Sequence, residues 1–410
     1  MNAKLSHNKL AERYSEITIT GSKSESNRLL VLQALYPNLR LENVSESDDT
    51  KVLQKGLEVK TGIVDVHHAG TAMRFLTAYF AAMPGIEIAL TGSSRMQERP
   101  IAILVESLIQ VGADISYLNR DGYPPLQIKG IELTKDTVSI NADVSSQYIS
   151  ALMLIAPSLA NGLKIIMEGQ VTSIPYIEMT LSLLNELGVE TTFLENIIHV
   201  GPKAKIENKT IIVESDWSSA SYFYSYVALS ENASVKLKSY SKESLQGDAA
   251  LVSIYKSLGV ETRFDASEKS ITLSKSGIIP SEEIRLDLNR TPDLAQTIAV
   301  TCFGLGIKCT LSGLHTLKIK ETDRLQALKN ELEKLGASVL ITENSLQLDL
   351  ATQMHEDVLI KTYQDHRMAM AFAPLACLIP IEIENAGVVS KSYPDFFSDF
   401  EKLGIKMQFE

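Results

Sequence analysis

Two kinds of helical pattern alternate along the chain. In the first, apolar residues recur every three or four positions and a glycine follows the last of them. LIQVGADI, LNELGVET, YKSLGVET, LEKLGASV and FEKLGIKM place Gly112, Gly188, Gly259, Gly336 and Gly404 at such helix ends, with Gly56 in LQKGLEV as a weaker sixth. Each predicts a half-exposed helix that stops at glycine and gives way to a strand, at a loose period of about 70 residues. In the second pattern a small polar head precedes a segment that is apolar on every side: Ser24–Leu35, Gly70–Met83, Ser145–Ile155, Ser218–Leu229, Pro292–Phe303 and Asp365–Leu375. The two patterns together predict six copies of a unit with one buried helix, one amphipathic helix and strands between them.

A helix that is apolar all round belongs inside a domain, so its polar head marks where the interior opens. Parallel buried helices present their N-termini on one face, and each terminus favours an anion by about 0.3 to 1 kcal/mol. The heads carry Lys23, Ser24 and Arg28; Gly70, Thr71 and Arg74; Ser145, Ser146 and Gln147; Asp293; and Asp365, His366 and Arg367. One further helix starts unusually. Lys320-Glu321-Thr322-Asp323-Arg324 precedes Leu325, Leu328, Leu332 and Leu335, which recur at helical spacing. Free backbone N–H groups with Lys320 and Arg324 suit a bound anion, leaving Glu321 or Asp323 to move protons. A self-paired, solvated charge cluster is the other reading of this block.

Composition narrows the class. The chain has 410 residues, too many for one ordinary domain, and is 45% hydrophobic, enough for sizeable cores. A formal charge of -11 argues against general nucleic-acid binding, so an anion site must be built from a few placed cations. Cys302, Cys309 and Cys377 lie in apolar runs without a CxxC pair, which reads as reduced thiols in a cytoplasmic protein. Met1–Tyr14 is mostly polar, so no secretory leader is expected, and the longest uncharged runs are too short for a membrane span. Periodicity puts the boundary between the halves near Val213 and leaves open which half the opening strand, Ser15–Thr20, joins.

GSKSESNR (Gly21–Arg28), AGTAMR (Ala69–Arg74), RMQERP (Arg95–Pro100), VSSQY (Val144–Tyr148), SIPY (Ser173–Tyr176), SSASYF (Ser218–Phe223), TPD (Thr291–Asp293), KETDR (Lys320–Arg324) and YQDHRMAM (Tyr363–Met370) run in an order that resembles the EPSP synthase family. The resemblance covers essentially the whole chain. It implies an α/β fold of two domains, each built of three βαβαββ repeats with buried parallel helices, and an active site in the inter-domain cleft. The domains it implies are 21–213, on the shikimate 3-phosphate side, and 1–20 with 214–410, on the side of the phosphoenolpyruvate carboxylate. The implied reaction transfers the enolpyruvyl group of phosphoenolpyruvate to the 5-hydroxyl of shikimate 3-phosphate and releases phosphate. No metal or organic cofactor is needed, glyphosate is implied as an inhibitor, and the expected state is a monomer with no nucleic-acid or membrane partner.

By position, the resemblance assigns shikimate 3-phosphate to Lys23, Ser24, Arg28, Ser145, Ser146, Gln147, Ser173, Tyr176, Asp293, Thr316 and Lys320. It assigns phosphoenolpyruvate to Lys23, His68, Gly70, Arg95, Gln147, Arg324, Arg367 and Lys391. Asp293 takes the proton of the attacking hydroxyl, and Glu321 and Lys23 are the candidates for protonating C3. His68 and Thr316 stand where Asn is usual in the family. A neutral imidazole at 68 replaces one amide donor, and an imidazolium adds a positive charge.

Other readings have less behind them. GSKS lacks the first glycine of a nucleotide phosphate loop, since position 17 is Ile. His67-His68 has no Cys or carboxylate cluster in sequence to make a metal site. Asp48 and Asp49 read as helix caps, Arg74 as either a carboxylate partner or a ligand contact, His366 as an orienting residue and Trp217 as packing. The sister enolpyruvyl transferase acting on UDP-N-acetylglucosamine usually carries a reactive Cys in the loop that is Gly92–Glu98 here, and this loop has none. A non-catalytic scaffold is the rival from another class.

Overall fold

The computed structural model describes residues 1–7, 14–142, 145–169, 171, 174–278, 281–350 and 353–410. The chain divides into two compact units, Gly21–Val213 and Met1–Thr20 with Glu214–Glu410. Each has its own apolar core.

In Gly21–Val213 the strand Thr61–Asp65 leads through the helix Gly70–Ala82 to the strand Glu87–Thr91, which runs parallel to it. The helices Ser94–Gln97 and Ala102–Gln110 follow, and the antiparallel strands Asp114–Tyr117 and Leu126–Lys129 complete a four-stranded sheet. A long crossover is what a parallel pair requires, whereas the closing pair needs only a short connection. The stretch Thr137–Val200 repeats this scheme with the helices Ser146–Ile155 and Ile174–Glu186. The first copy is shorter: after the helix Lys23–Leu35, the strand Leu39–Glu42 pairs in parallel with Lys209–Ile212 in a two-stranded sheet.

Among the described residues the other unit has three four-stranded sheets, two of which take a strand from the start of the chain. Tyr14–Ile17 lies parallel to Ser234–Lys238 and occupies the place ahead of the helix Trp217–Leu229. Ala3–His7 sits between Ile381–Ile383 and Ile405–Phe409, antiparallel to both. Only the sheet built from Glu283–Asp287 to Leu346–Asp349 is assembled entirely from consecutive chain.

The helices apolar on all sides are interior. Gly70–Ala82 buries every residue except Thr71, and Trp217–Leu229 every residue except Ser218, so in both the opening is at the second residue of the head. Gly112, Gly188, Gly259, Gly336 and Gly404 follow their helices with φ between 75° and 107°, a region that only glycine enters without steric cost. Gly56 is different. It lies within the helix Asp48–Leu57, and a Cβ there would stand 2.5 Å from Leu76 Cδ1, so it is a close-packing glycine.

Two helix boundaries depart from the pattern. Pro292–Leu294 forms a 3-10 turn before the α-helix Ala295–Leu305, and His366–Phe372 passes into a 3-10 stretch at Ala373–Cys377. Pro374 has no N–H to continue the i to i−4 ladder. Among the described residues no helix is long and apolar enough to cross a membrane.

Candidate active site

The densest set of charges lies in the unit containing residues 214–410. Its centre is Arg324, the first residue of the helix Arg324–Lys334. The cap is Asp323, whose carboxylate accepts from the Gln326 N–H, so that terminus already serves a side chain of its own. One of the first-turn N–H groups expected to suit an anion is therefore already used. Arg324 is 2% exposed and divides its guanidinium among three carboxylates. Nε donates to Asp365 Oδ2 at 2.7 Å, Nη1 to Asp293 Oδ1 at 2.8 Å and Nη2 to Glu321 Oε2 at 2.7 Å.

Asp293 sits in the 3-10 turn ahead of a buried helix and collects three cations. Besides Arg324, Arg367 Nη2 reaches its Oδ2 at 3.3 Å and Lys320 Nζ lies 3.7 Å from its Oδ1. Burial alone would raise the Asp293 carboxyl, but Arg367, Lys320 and Arg324 hold it well below the usual carboxylate range. Burial works against the Arg324 charge, yet Asp365, Glu321 and Asp293 raise its pKa overall. Asp293 favours the charged form of Lys320, but burial and the two guanidinium groups outweigh it and lower the Lys320 pKa. The block is therefore self-paired, as one sequence reading has it, but around a buried guanidinium rather than on a solvated face, and it is also rich enough in cations to serve an anion that competes for them.

Asp365 is fully buried and caps the helix His366–Phe372 by accepting from the Arg367 N–H at 2.8 Å. His366 is buried beside it, with Nδ1 4.0 Å from Asp365 Oδ1. Lys391 donates to the Gln364 carbonyl at 2.7 Å. Thr316 is nine-tenths buried, and its hydroxyl has no hydrogen-bond partner among the described residues. Sequence reasoning missed Asp248. It is buried, accepts from the Ser218 hydroxyl, and through Ser218 backs Arg367, whose Nη2 donates to Ser218 Oγ at 3.3 Å. Burial pushes Asp248 up to about 6, against the opposing pull of Arg367.

The unit Gly21–Val213 holds the remaining candidates in smaller groups. Lys23 opens its helix, and its Nζ lies 3.3 Å from Asp49 Oδ2, while His68 Nε2 is 3.6 Å from Asp49 Oδ1. The cap of the Asp48–Leu57 helix is Ser47, which corrects the reading of Asp48 and Asp49 as caps. Asp49 is instead a nearly buried carboxylate shared by Lys23 and His68. The rings of His67 and His68 meet edge to face, their Nδ1 atoms 2.7 Å apart.

A Cβ on Gly70 would stand 2.7 Å from Arg99 Nη1 and 3.1 Å from Arg74 Nη1, so two guanidinium groups lie against this helix start. Arg99 was not singled out in the sequence, although it belongs to the same motif as Arg95. Arg95 itself is exposed and pairs with Glu98 at 3.0 Å. Arg74 is buried, donates to the Gly70 carbonyl at 2.9 Å and lies over the Tyr148 ring; among the described residues it has no carboxylate in ion-pair range.

Ser145 caps the helix Ser146–Ile155, Ser146 is buried, and Gln147 Nε2 donates to Thr71 Oγ1 at 3.2 Å. Arg28 is buried and donates to Thr180 Oγ1, the Ser24 carbonyl, Ser150 Oγ and the Tyr176 carbonyl. It also lies over the rings of Phe75 and Tyr176, 5.6 and 5.7 Å from their centroids. Burial pulls it down to about 10, so the guanidinium is charged at neutral pH. Ser173 lies outside the described residues.

Trp217 is fully buried against Tyr240, and its indole N–H donates to Glu214, which is a packing role. Cys302 and Cys309 are buried free thiols.

This chemistry is that of anion capture and proton transfer. Arg324 and Arg367 both flank one carboxylate, Asp293, and with those cations beside it that carboxylate stays ionised at neutral pH.

Comparison with known proteins points the same way. A model of the family described as EPSP synthase (3-phosphoshikimate 1-carboxyvinyltransferase) matches residues 38–400. A 3-phosphoshikimate 1-carboxyvinyltransferase of Bacteroides fragilis (strain YCH46) is 44% identical over 394 residues, covering 95% of each chain. One from Vibrio atlanticus (strain LGP32) is 34% identical over 421 residues, covering 95% of this chain and 97% of that one. In fold, the chain resembles EPSP synthase from Acinetobacter baumannii, with a TM-score of 0.79 at 19% identity and full coverage of both chains. It also resembles the enolpyruvyl transferase NikO from Streptomyces tendae, with a TM-score of 0.73 at 13% identity, covering 99% of this chain and 98% of that one. With its nine motifs in order and a family match spanning most of its length, the chain belongs to the EPSP synthase family.

Proposed function

We propose that this protein transfers the enolpyruvyl group of phosphoenolpyruvate to the 5-hydroxyl of shikimate 3-phosphate. The product is 5-enolpyruvylshikimate 3-phosphate, an intermediate on the route to chorismate and the aromatic amino acids. In the addition step the hydroxyl oxygen bonds to C2 of phosphoenolpyruvate, its proton goes to Asp293, and C3 receives a proton from Glu321 or Lys23. In the elimination step the C–O bond to phosphate breaks, C3 gives a proton back and the double bond re-forms. No cofactor is required.

The observation that carries this reading is the convergence of Arg324, Arg367 and Lys320 on Asp293. Arg324 and Arg367 take the phosphoenolpyruvate carboxylate. By competing for them, that anion relieves Asp293 of the charges that depress it and makes it a better base. Lys23, Ser24, Arg28, Ser145, Ser146, Gln147, Ser173, Tyr176, Thr316 and Lys320 serve shikimate 3-phosphate. Gly70, His68, Arg95, Gln147 and Lys391 serve the phosphoenolpyruvate end, and we add Arg99 to them because it lies against Gly70.

The buried thiols support a cytoplasmic protein, and we expect a monomer that glyphosate inhibits. The test is phosphate release from phosphoenolpyruvate with shikimate 3-phosphate or UDP-N-acetylglucosamine as acceptor. Release with shikimate 3-phosphate alone is expected. Release with the sugar nucleotide, or with neither, contradicts the reading.

A further inference from the structure

The turn that delivers Asp365 and Arg367 is built from two residues in an unfavourable backbone conformation. Tyr363 has φ of 53° and Gln364 φ of 60°, and the Asp365 N–H donates to the Thr362 carbonyl at 2.8 Å. That is a type I′ turn, whose two central positions normally belong to Gly, Asn or Asp. Tyr and Gln there must be held by their surroundings.

The holding contacts can be named. Glu331 lies on the Arg324–Lys334 helix, about two turns beyond Arg324, and is fully buried. Its Oε1 accepts from the Tyr363 hydroxyl at 2.7 Å, and its Oε2 accepts from the Lys361 N–H at 2.9 Å and from Lys334 Nζ. On the other side of the turn, Lys391 Nζ donates to the Gln364 carbonyl at 2.7 Å and Asn385 donates to the Gln364 side chain at 3.2 Å. The turn ends at Asp365, which orients the Arg324 guanidinium through Nε and fixes the start of the helix that carries Arg367. One helix thus carries a guanidinium at its start and, two turns later, the carboxylate that sets the partner turn. Burial and the bond to Glu331 push the Tyr363 hydroxyl up to about 12, so it remains a donor at working pH.

We propose that Glu331, acting through Tyr363, is a positioning residue that locks the Thr362–Asp365 turn in its left-handed form and thereby sets Arg324 and Arg367 for the phosphoenolpyruvate carboxylate. The proposal rests on the reading of those arginines given above. It is specific about mechanism. The anchor matters because neither central residue of the turn is a glycine, so lowering the intrinsic cost of the left-handed conformation at 364 reduces the turn's dependence on the anchor.

The experiment compares the steady-state KM for phosphoenolpyruvate, at saturating shikimate 3-phosphate, in the wild type, Arg367→Lys, Tyr363→Phe, Glu331→Gln and the double variant Tyr363→Phe with Gln364→Gly. Tyr363→Phe keeps the ring and removes only the hydroxyl. We expect it and Glu331→Gln to raise this KM about five- to tenfold while kcat changes less than threefold, a loss typical of one ordinary hydrogen bond. Adding Gln364→Gly to Tyr363→Phe returns KM to within twofold of the wild type. A role confined to packing would not be rescued in this way. If Arg367→Lys raises KM but Tyr363→Phe leaves it within twofold, or if the glycine fails to rescue, the inference is overturned while the reading of the arginines stands. An unchanged KM in Arg367→Lys overturns that reading and the inference with it.

Discussion

Replacing Arg324 by Met removes a group that compensates three carboxylates at once. Arg324 is 2% exposed and Asp365 is fully buried, so water does not take the place of the lost guanidinium at Asp365. Breaking a buried pair by deleting one partner costs about 3 to 5 kcal/mol, mostly the penalty of leaving a charge uncompensated. The cost to this fold falls on the unit containing residues 214–410. With a transition that shifts about 2 to 4 °C per kcal/mol for a body of this size, unfolding of that unit is expected roughly 6 to 20 °C lower at pH 7.5.

The effect has a sign that pH can reveal. In the wild type the three cations depress the Asp293 pKa below its unfolded value, so their stabilisation is present above that unfolded value and is lost as pH falls through the folded one. In Arg324→Met, Asp365 loses its guanidinium partner and Asp293 loses one of the three cations that hold it down, so the Asp293 pKa rises. The Asp293 contribution is then lost at a higher pH in the variant than in the wild type, so the gap between the two is constant above the unfolded value of about 4 and shrinks as pH falls below it. Urea unfolding of both proteins from pH 3 to pH 8 measures this difference. A gap below about 1 kcal/mol, or one that does not change with pH, would refute the assignment of Arg324 as the hub that compensates buried charge.

Two further outcomes follow from the same geometry. Asp248 is raised to about 6, so its ionisation is unfavourable in the fold: stability falls as pH rises from about 4 to 6, by about 3 kcal/mol in all. Asp248→Asn should unfold at higher urea than the wild type at pH 7.5 and at the same urea near pH 4, and parallel pH curves for the two proteins would count against this. Gly70→Ala places a methyl 2.7 Å from Arg99 Nη1, so that guanidinium must move. Stability should change by less than about 1 kcal/mol, whereas KM for phosphoenolpyruvate should rise at least about tenfold; a KM within twofold of the wild type would remove Arg99 from the site.

What was legible in the sequence was local. The helix ends at Gly112, Gly188, Gly259, Gly336 and Gly404 depend on a backbone requirement that one residue type meets, so each announces itself. The interior helices are apolar on every side, and the charges of Lys320–Arg324 adjoin in sequence. What escaped depends on contacts that sequence spacing does not encode. Asp49 has the look of a helix cap, yet Ser47 is the cap and Asp49 faces Lys23, 26 residues earlier. Asp248 meets Ser218 across 30 residues, and Glu331 meets Tyr363 across 32. Gly56 resembles a helix stop, but what demands a glycine there is Leu76 on another helix. The placement of Ala3–His7 beside Ile405–Phe409 joins the two ends of the chain, and no local pattern signals it.

The central claim is that Asp293 is the base, held down by Arg324, Arg367 and Lys320 until the substrate's own anions engage those cations. Rapid-quench measurement of the first turnover in Asp293→Asn, with both substrates saturating, tests it most directly. The account predicts that shikimate 3-phosphate binds within a few-fold of the wild type while the rate of phosphate formation in that turnover falls about 100- to 10,000-fold. A first-turnover rate within tenfold of the wild type would show that another group takes the proton and would contradict the account.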